Sequence, residues 1–595
     1  MWTAITVWAA PAMREPFLAT QPDGTTVEIM LHGDEHAAWS TTADGVLVVE
    51  RNKAYYVAAV DAQGRLSATT LLAHQPMERS TQELQACKAQ QQQQRLFFEQ
   101  CELKQQKGRR AQVTSTSYFP HTGSPKCLVI LVNFSDVRFT SGAAQAQFDQ
   151  YFNGKTQENL GQNEQNNIVS VREYFRQSSH GLFTPEFTVV GPVDLPQTQE
   201  YYGHNAYNDK GEQTATDPNF SQFCKDAIAA VDEQVNFKDY DNAGDGNAEL
   251  VCIIYAGYGE SVSGNGSETI WPKCGYRGYQ TADGVKVSYF NCSPELYRKS
   301  KGTDINGIGL FCHEFSHSMG LPDLYATNTS ARIDNQTPEF WSVMDYGEYS
   351  NNGYAPVPYS AWEQQVMGWT ELEELTESQT IEGMTPLLKG GKAYRLGNSA
   401  NNEECFILEN AQVYNYSQHQ LGSYRGHGLV VWHIAYSSAN VNMGDYPNNT
   451  PQQPRVCIVP ADGLVINGYR FVSNSTTPTN EKPYTQNQYV TSLQGDPFPG
   501  TSEVTQLNVE MQLPNYKFYN GEATPVFKIK NVTEDTSVGT VSFEFDNGHT
   551  PSGIQNVQRS SVSAQRYFDL QGRSLNGVPA QRGLYIRNNK KIVVR

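Results

Sequence analysis

Residues 13–75 alternate apolar and polar positions in short runs broken by Asp23-Gly24, Asp44-Gly45 and Gln63-Gly64. A period of two puts one face of each run on a core, and Asp-Gly turns join antiparallel strands, so this stretch predicts a small β-meander. Residues 80–108 are rich in Gln and Lys with good helix formers, which gives a polar helix or linker. The pattern changes near Lys126. Cys127 to Val132 is a continuous apolar run and reads as a buried strand. A helix over Val169–Gln177, strands near 183–193, a helix over Phe223–Val235 and a strand over Leu250–Tyr255 follow. Strands and helices in alternation predict a layered α/β or α+β domain, and α+β is the class we take. Beyond about 380 the chain is β-like again, at Glu404–Leu408, Gly428–Ile434, Val456–Val459, Val526–Ile529 and Val541–Phe545. This predicts one or two β-sandwich modules with Asn-rich loops at Asn440–Asn449 and Asn474–Asn480.

One stretch carries chemistry. His313-Glu314-Phe315-Ser316-His317-Ser318-Met319-Gly320-Leu321-Pro322-Asp323 follows Ile305, Ile308, Leu310 and Phe311, whose apolar character predicts a buried helix. Four residues apart on that helix, His313 and His317 share a face, where two imidazoles can chelate Zn²⁺. Glu314 then stands beside the metal, placed to take a proton from water bound there. A left-handed turn just past a helix end needs the conformational freedom that Gly320 supplies, and Pro322 cannot continue the helix. The chain therefore reverses, and Asp323 can return as a third ligand. Three protein ligands leave one position open, the catalytic arrangement. A thermolysin-like scheme would instead take a Glu on a second helix. Glu339 is the nearest candidate, but it follows Pro338 and a polar, loop-like run from Thr327 to Thr337.

Downstream, Trp341-Ser342-Val343-Met344-Asp345-Tyr346-Gly347 matches the Met-containing turn that lies beneath the metal in metzincin zinc peptidases, some of which carry a Tyr two residues later. With that, the chain resembles the immune-inhibitor-A-like (M6) metallopeptidases over roughly residues 10 to 545. The signature runs from His313 to Tyr325. Further matches are Leu128–Asp136, Ser170–Phe175, Val190–Val193, Ile254–Gly259, and Tyr359–Trp362 before Gly368-Trp369. Only the zinc motif among them is chemically specific. The resemblance implies a zincin/metzincin-like catalytic domain, a structural Met344, an intermediate-stabilising role for Tyr346, an N-terminal prosegment, and substrate peptides that add as a strand to the sheet edge above the cleft.

A chain of 595 residues is too long for one core and predicts two to four domains. Net charge of −18 argues against nucleic acid as a partner. No run is long and apolar enough for a transmembrane span. Met1 to Ala12 reads as a signal-peptide remnant, the alternative being a first β-strand. The ten cysteines are compatible with disulfides, with Cys274–Cys292 as a candidate pair and Cys405–Cys457 as a weaker one, while Cys312 reads as core. Arg109-Arg110 is a dibasic processing candidate. For silencing the metal, the prosegment offers Leu31-His32-Gly33-Asp34-Glu35, Cys87 and Cys101. Spaced oxygen ligands at Asp241, Asp245, Asn247 and Glu249 make a Ca²⁺ loop candidate, against a solvated turn, although Ala243 stands where the resembled family usually has another Asp. No Gly-x-Ser-x-Gly or phosphate-cradling motif is present.

The last 45 residues differ again, with Arg566–Arg573, Gly583–Asn588 and Lys590–Arg595 predicting a small β-hairpin module. It resembles the C-terminal sorting domain of type IX secretion, and Ser560–Ala564 reads as its linker. The expected organisation is therefore 1–12 signal remnant, 13–110 prosegment, 111–378 catalytic domain, 379–547 β-sandwich module(s) and 548–595 sorting module. The expected function is a zinc-dependent endopeptidase, secreted or at the cell surface, made as a zymogen. It would act on protein or peptide substrates and be handled by secretion machinery. A surface adhesin or glycan-binding protein with a vestigial metal site is the rival, but a structural zinc would not need Glu314.

Overall fold

A computed structural model describes residues 7–8, 10–13, 15–34, 37–109, 118–154, 167–207, 213–262, 264–412, 424–466, 486–519, 524–548, 567–569, 573–575, 579, 581–587 and 590–594. The chain divides into two compact units, Met1–Gly548 and His549–Arg595.

At the centre of the first unit is a six-stranded sheet in the order Val7–Trp8, Lys273–Gln280, Lys286–Leu296, Asn247–Tyr258, Lys126–Asn133, Glu186–Asp194. The last four strands run parallel, and Lys273–Gln280 is antiparallel to its neighbour. The run from Cys127 to Val132 is unbroken because this sheet is covered on both faces. Cys127, Val129 and Leu131 join one core with the helices Ala144–Asn153, Val171–Ser178 and Ile308–Ser318. Leu128, Ile130 and Val132 join the other, with the helix Phe220–Ala229. Period-two alternation thus serves two cores at once.

The meander expected at 13–75 is a six-stranded antiparallel sheet in sequence order from Phe17–Thr20 to Leu66–Leu72, followed by the helix Thr81–Arg109. Gln90 reaches from that helix to the backbone of Leu47 and Ala58 and ties helix to sheet. Arg110 lies outside the described residues, as does the Ser560–Ala564 linker.

From 373 onward, a five-stranded sheet (Glu373–Glu374, Tyr394–Asn398, Asn401–Ala411, Gly428–Ile434, Val456–Ile458) faces a three-stranded one (Gln379–Met384, Thr540–Asp546, Lys528–Asp535) across a shared core. Its opposite face, with Ile407, Val430 and Trp432, belongs to the same core as the helix Ile308–Ser318. One hydrophobic core therefore crosses the boundary expected near 378. The strands are apolar on both faces, so they need cover on both sides.

All ten cysteines are free and buried, which corrects both disulfide expectations. Cys274 and Cys292 lie on adjacent antiparallel strands but one register step apart, Cys274 opposite Asn291 and Cys292 opposite Lys273. Cys405 faces Ile434 and Cys457 faces His433. Burial pushes the Cys312 thiol well up, as befits a core residue. In the second unit, Tyr567–Phe568, Ser574–Leu575, Gly583–Arg587 and Lys590–Val594 form a four-stranded antiparallel sheet.

Candidate metal centre and cleft

The helix Ile308–Ser318 is buried along its whole length. The chain turns at Met319 and Gly320, where Gly320 has φ +107, a region disfavoured for residues with a Cβ. This reversal delivers Asp323 to the two histidines. Asp323 Oδ1 lies 3.3 Å from His313 Nε2 and 3.2 Å from His317 Nε2, and the two Nε2 atoms are 3.2 Å apart. The three side chains are buried, and they are the metal-capable cluster found among the described residues.

The ring orientations test whether a cation fits. His313 Nδ1 is 2.8 Å from the Val343 carbonyl, and His317 Nδ1 is 2.7 Å from the Leu321 carbonyl. Carbonyls only accept, so each ring carries its proton on Nδ1 and turns the Nε2 lone pair inward. Two lone pairs and a carboxylate oxygen then converge with no donor between them, an arrangement that calls for a positive charge. Without a metal a proton can serve in part. Burial pulls the His317 ring down, but Asp323 outweighs it and holds the pKa up, while burial prevails at His313 and lowers it. The donor set, two imidazoles and a carboxylate, fits zinc.

Met344 belongs to the turn that supplies the Val343 carbonyl. It is buried, and its own carbonyl accepts from Leu324 N at 2.9 Å, stapling the turn to the segment that carries Asp323. Tyr346, two residues on, is buried in an aromatic cluster with Tyr297, Tyr325 and Tyr349. Glu339 is directed elsewhere. Its carboxylate accepts from Tyr489 Oη at 2.6 Å, and it is not among the three side chains that converge. Glu348, which sequence reasoning missed, is fully buried with both carboxylate oxygens lacking a hydrogen-bond partner, one of them 3.9 Å from His313 Nδ1. Burial drives its pKa well up.

Glu314 is fully buried, and burial pushes its pKa up to about 8 against the opposing influence of His317. Its Oε1 accepts from the backbone nitrogen of Ala10 at 2.6 Å, across 304 residues of sequence. Val7–Trp8 pairs antiparallel with Gly275 and Cys274 at the sheet edge. Trp271 Nε1 donates to Ala10 O at 3.2 Å, Tyr349 Oη donates to Pro11 O at 2.8 Å, and Met13 N donates to Ser261 O at 2.9 Å. Of the stretch expected as a signal remnant, Met1–Thr6 and Ala9 lie outside the described residues, while Ala10 to Met13 are all buried in the cleft. The strand alternative holds for Val7–Trp8, but the strand belongs to the central six-stranded sheet. Trp271 is itself held by Asp217, which accepts from Trp271 N at 3.0 Å and forms a buried ion pair with Lys273 at 2.6 Å.

The latency candidates have other partners. His32 bonds Thr41 Oγ1 and stacks on Trp39, and Asp34 accepts from Ala37 N. Cys87 and Cys101 lie in the cores between the N-terminal sheet and the helix Thr81–Arg109. Glu35 is outside the described residues. Nor do the calcium candidates converge. Asp241 accepts from the backbone nitrogens of Asp245 and Gly246, Asp245 from Asn247, and Glu249 from Asn242 and Ala243. The loop's own amides take up the oxygens a cation would need, which favours the solvated turn.

Residues 114–370 match the catalytic domain of immune inhibitor A peptidase M6. Pre-pro-metalloprotease PrtV of Vibrio cholerae is 24% identical over 277 residues, which cover 41% of this chain and 29% of that protein. Immune inhibitor A of Bacillus thuringiensis subsp. alesti is 25% identical over 303 residues, 44% of this chain and 42% of that protein. The chain spans less than half the length of these relatives. Among the described residues no helix is long and apolar enough to cross a membrane.

Proposed function

We propose that this chain is a zinc-dependent endopeptidase of the M6 type, made in a latent form. The observation that carries the reading is the convergence of two tautomer-fixed imidazoles and the Asp323 carboxylate beside Glu314. His313, His317 and Asp323 would hold the metal. The chemistry zinc supplies when bound is Lewis acidity toward water and toward a peptide carbonyl. Glu314 takes the proton of the attacking water on its carboxylate and returns it to the leaving nitrogen. Met344 supports the turn that orients His313, and Tyr346 hydrogen-bonds the tetrahedral intermediate.

Latency is supported by the occupant of the cleft. Val7–Trp8 pairs with the sheet edge, Ala10 to Met13 are buried in the cleft, and Glu314 is engaged by Ala10. A strand added to a sheet edge is how an extended substrate binds, so this segment excludes substrate and occupies the base together. Activation then requires its release, with cleavage after the helix Thr81–Arg109 as one route. We assign 13–110 to the prosegment together with the cleft-filling residues Ala10 to Ala12, 111–378 to the peptidase and 379–547 to β modules fused to it. The second unit is a secretion address, which makes the enzyme secreted or surface-attached. Calcium has no geometric support here. The intact base argues against the adhesin reading.

The test is casein zymography of the full chain and its Glu314→Ala variant, with metal analysis, after limited proteolytic activation and with and without a chelator. Chelator-sensitive lysis confined to the parent chain is expected. Equal lysis by a metal-loaded Glu314→Ala protein would remove the mechanism.

A further inference from the structure

The segment in the cleft is gripped almost entirely by its backbone. Trp271 and Tyr349 bind the carbonyls of Ala10 and Pro11, and Ser261 accepts from the Met13 nitrogen. Such contacts read no sequence, and the side chains of Ala10 and Ala12 are too small to be selected by much. Met13 differs. Its side chain is only 4% exposed and enters a cluster of Val262, Tyr297, Tyr325, Tyr346 and Tyr349. Tyr297 Oη lies 3.3 Å from its sulfur. Every residue of that cluster other than Met13 falls within the span matched to the peptidase domain. The pocket is therefore built from the enzyme's side of the interface, and the prosegment only fills it.

We propose that this aromatic pocket is a specificity subsite for substrate, selecting a long apolar side chain on the leaving fragment. The proposal rests on the peptidase reading above. Position follows from geometry. The Ala10 nitrogen, 2.6 Å from Glu314 Oε1, occupies the place of the leaving nitrogen that the base must protonate. Counting Ala10 as the first residue of the leaving fragment, Met13 is the fourth. The antiparallel pairing of Val7–Trp8 with Gly275 and Cys274 sets the chain direction, with the acyl side along the sheet edge and the leaving side toward the pocket. A polarizable thioether among aromatic rings is a favourable filling, and Leu or Phe would suit the same walls. Asp or Gly would respectively bury a charge or leave the pocket unfilled.

The full chain carries its own test. Hydrogen exchange at the amides of Ala10, Ala12 and Met13 should stay slow in Met13→Leu and quicken by at least ~10-fold in Met13→Asp and in the milder Met13→Gly, because burying one such side chain is worth about that factor or more. With its cleft loosened, the Met13→Gly chain should cleave a peptide library with Met, Leu or Phe preferred over Asp or Gly at the fourth leaving-side position by ~10-fold. Unchanged exchange in both loosened variants, or vigorous cleavage with no preference there, overturns the subsite while leaving the peptidase standing. Conversely, a Glu314→Ala, Met13→Gly chain that binds the Met peptide over its Asp counterpart, while no form with Glu314 cleaves anything, keeps the pocket and removes the peptidase.

Discussion

Asp241–Glu249 and His313–Asp323 both bring metal-binding residue types into a short span, and the fold treats them in opposite ways. In the first, backbone amides point at the carboxylates and bond them, Asp241 and Glu249 each accepting from two. In the second, backbone carbonyls point at the far side of each imidazole, accept a hydrogen bond from its Nδ1–H and turn the lone pairs toward one another. Amides satisfy an acidic side chain, whereas carbonyls prepare a histidine to be a ligand. The difference lies in which half of the peptide group faces the side chain. Burial sharpens it, since the histidine site lies wholly out of water and its unmet acceptors cannot be satisfied there.

The strongest way to break the comparison is at the base. Glu314→Ala should cost ~10²–10⁴-fold in turnover of activated enzyme while metal content is unchanged, as atomic absorption would show, because only the proton carrier is lost. Next, Asp323→Ala should leave two imidazoles that bind weakly, so zinc should be lost on dialysis. Full occupancy with retained activity would mean the third ligand lies elsewhere. Asp241→Ala should leave zinc binding untouched, give no change in melting with added calcium, and cost about 1 kcal/mol in denaturant titration for the loop hydrogen bonds. A calcium-dependent stabilisation that Asp241→Ala abolishes would restore the loop as a metal site.

Smaller effects come from groups whose partners are ordinary. His74 lies between Glu83 and Asp23, each at 2.9 Å. Burial lowers the His74 pKa, but the hydrogen bonds to Asp23 and Glu83 prevail and raise it above 6.5. The stability it contributes is full below about 6.5 and fades as pH rises through the higher folded value. The hydrogen bond from His74 holds Asp23 down to about 2, so its contribution is present above the ordinary carboxylate range and fades as pH falls toward that value. Protection of the 17–72 sheet against hydrogen exchange, relative to the intrinsic rate at each pH, should therefore be greatest between these limits, and the parent's pH dependence should flatten in His74→Gln. Finally, truncation after Asn547 removes the separate second unit and should leave melting, zinc content and activity of the remainder unchanged. In its host the truncated protein should fail to reach the outside, which cell fractionation would show.

The features legible in the sequence were the local ones. The i, i+4 spacing put His313 and His317 on one helix face, Gly320 permitted the reversal that returns Asp323, and the strand Gly428–Ile434 could be read to its ends. Each depends on backbone periodicity or on the allowed φ of a single residue, properties of a few neighbouring amino acids. Asp241 to Glu249 stayed open between a calcium loop and a solvated turn, because residue type does not say whether an amide or a carbonyl will face the side chain. The contents of the cleft were beyond sequence pattern altogether. Ala10 meets Glu314 across 304 residues, and Met13 fills a pocket whose walls come from four separate segments between Val262 and Tyr349. Ala-Pro-Ala-Met has no periodicity and little chemistry of its own. Only the tertiary structure, by leaving a sheet edge unpaired beside a buried carboxylate, decided that this stretch would lie there, because an open edge pairs with whichever extended backbone the fold holds against it.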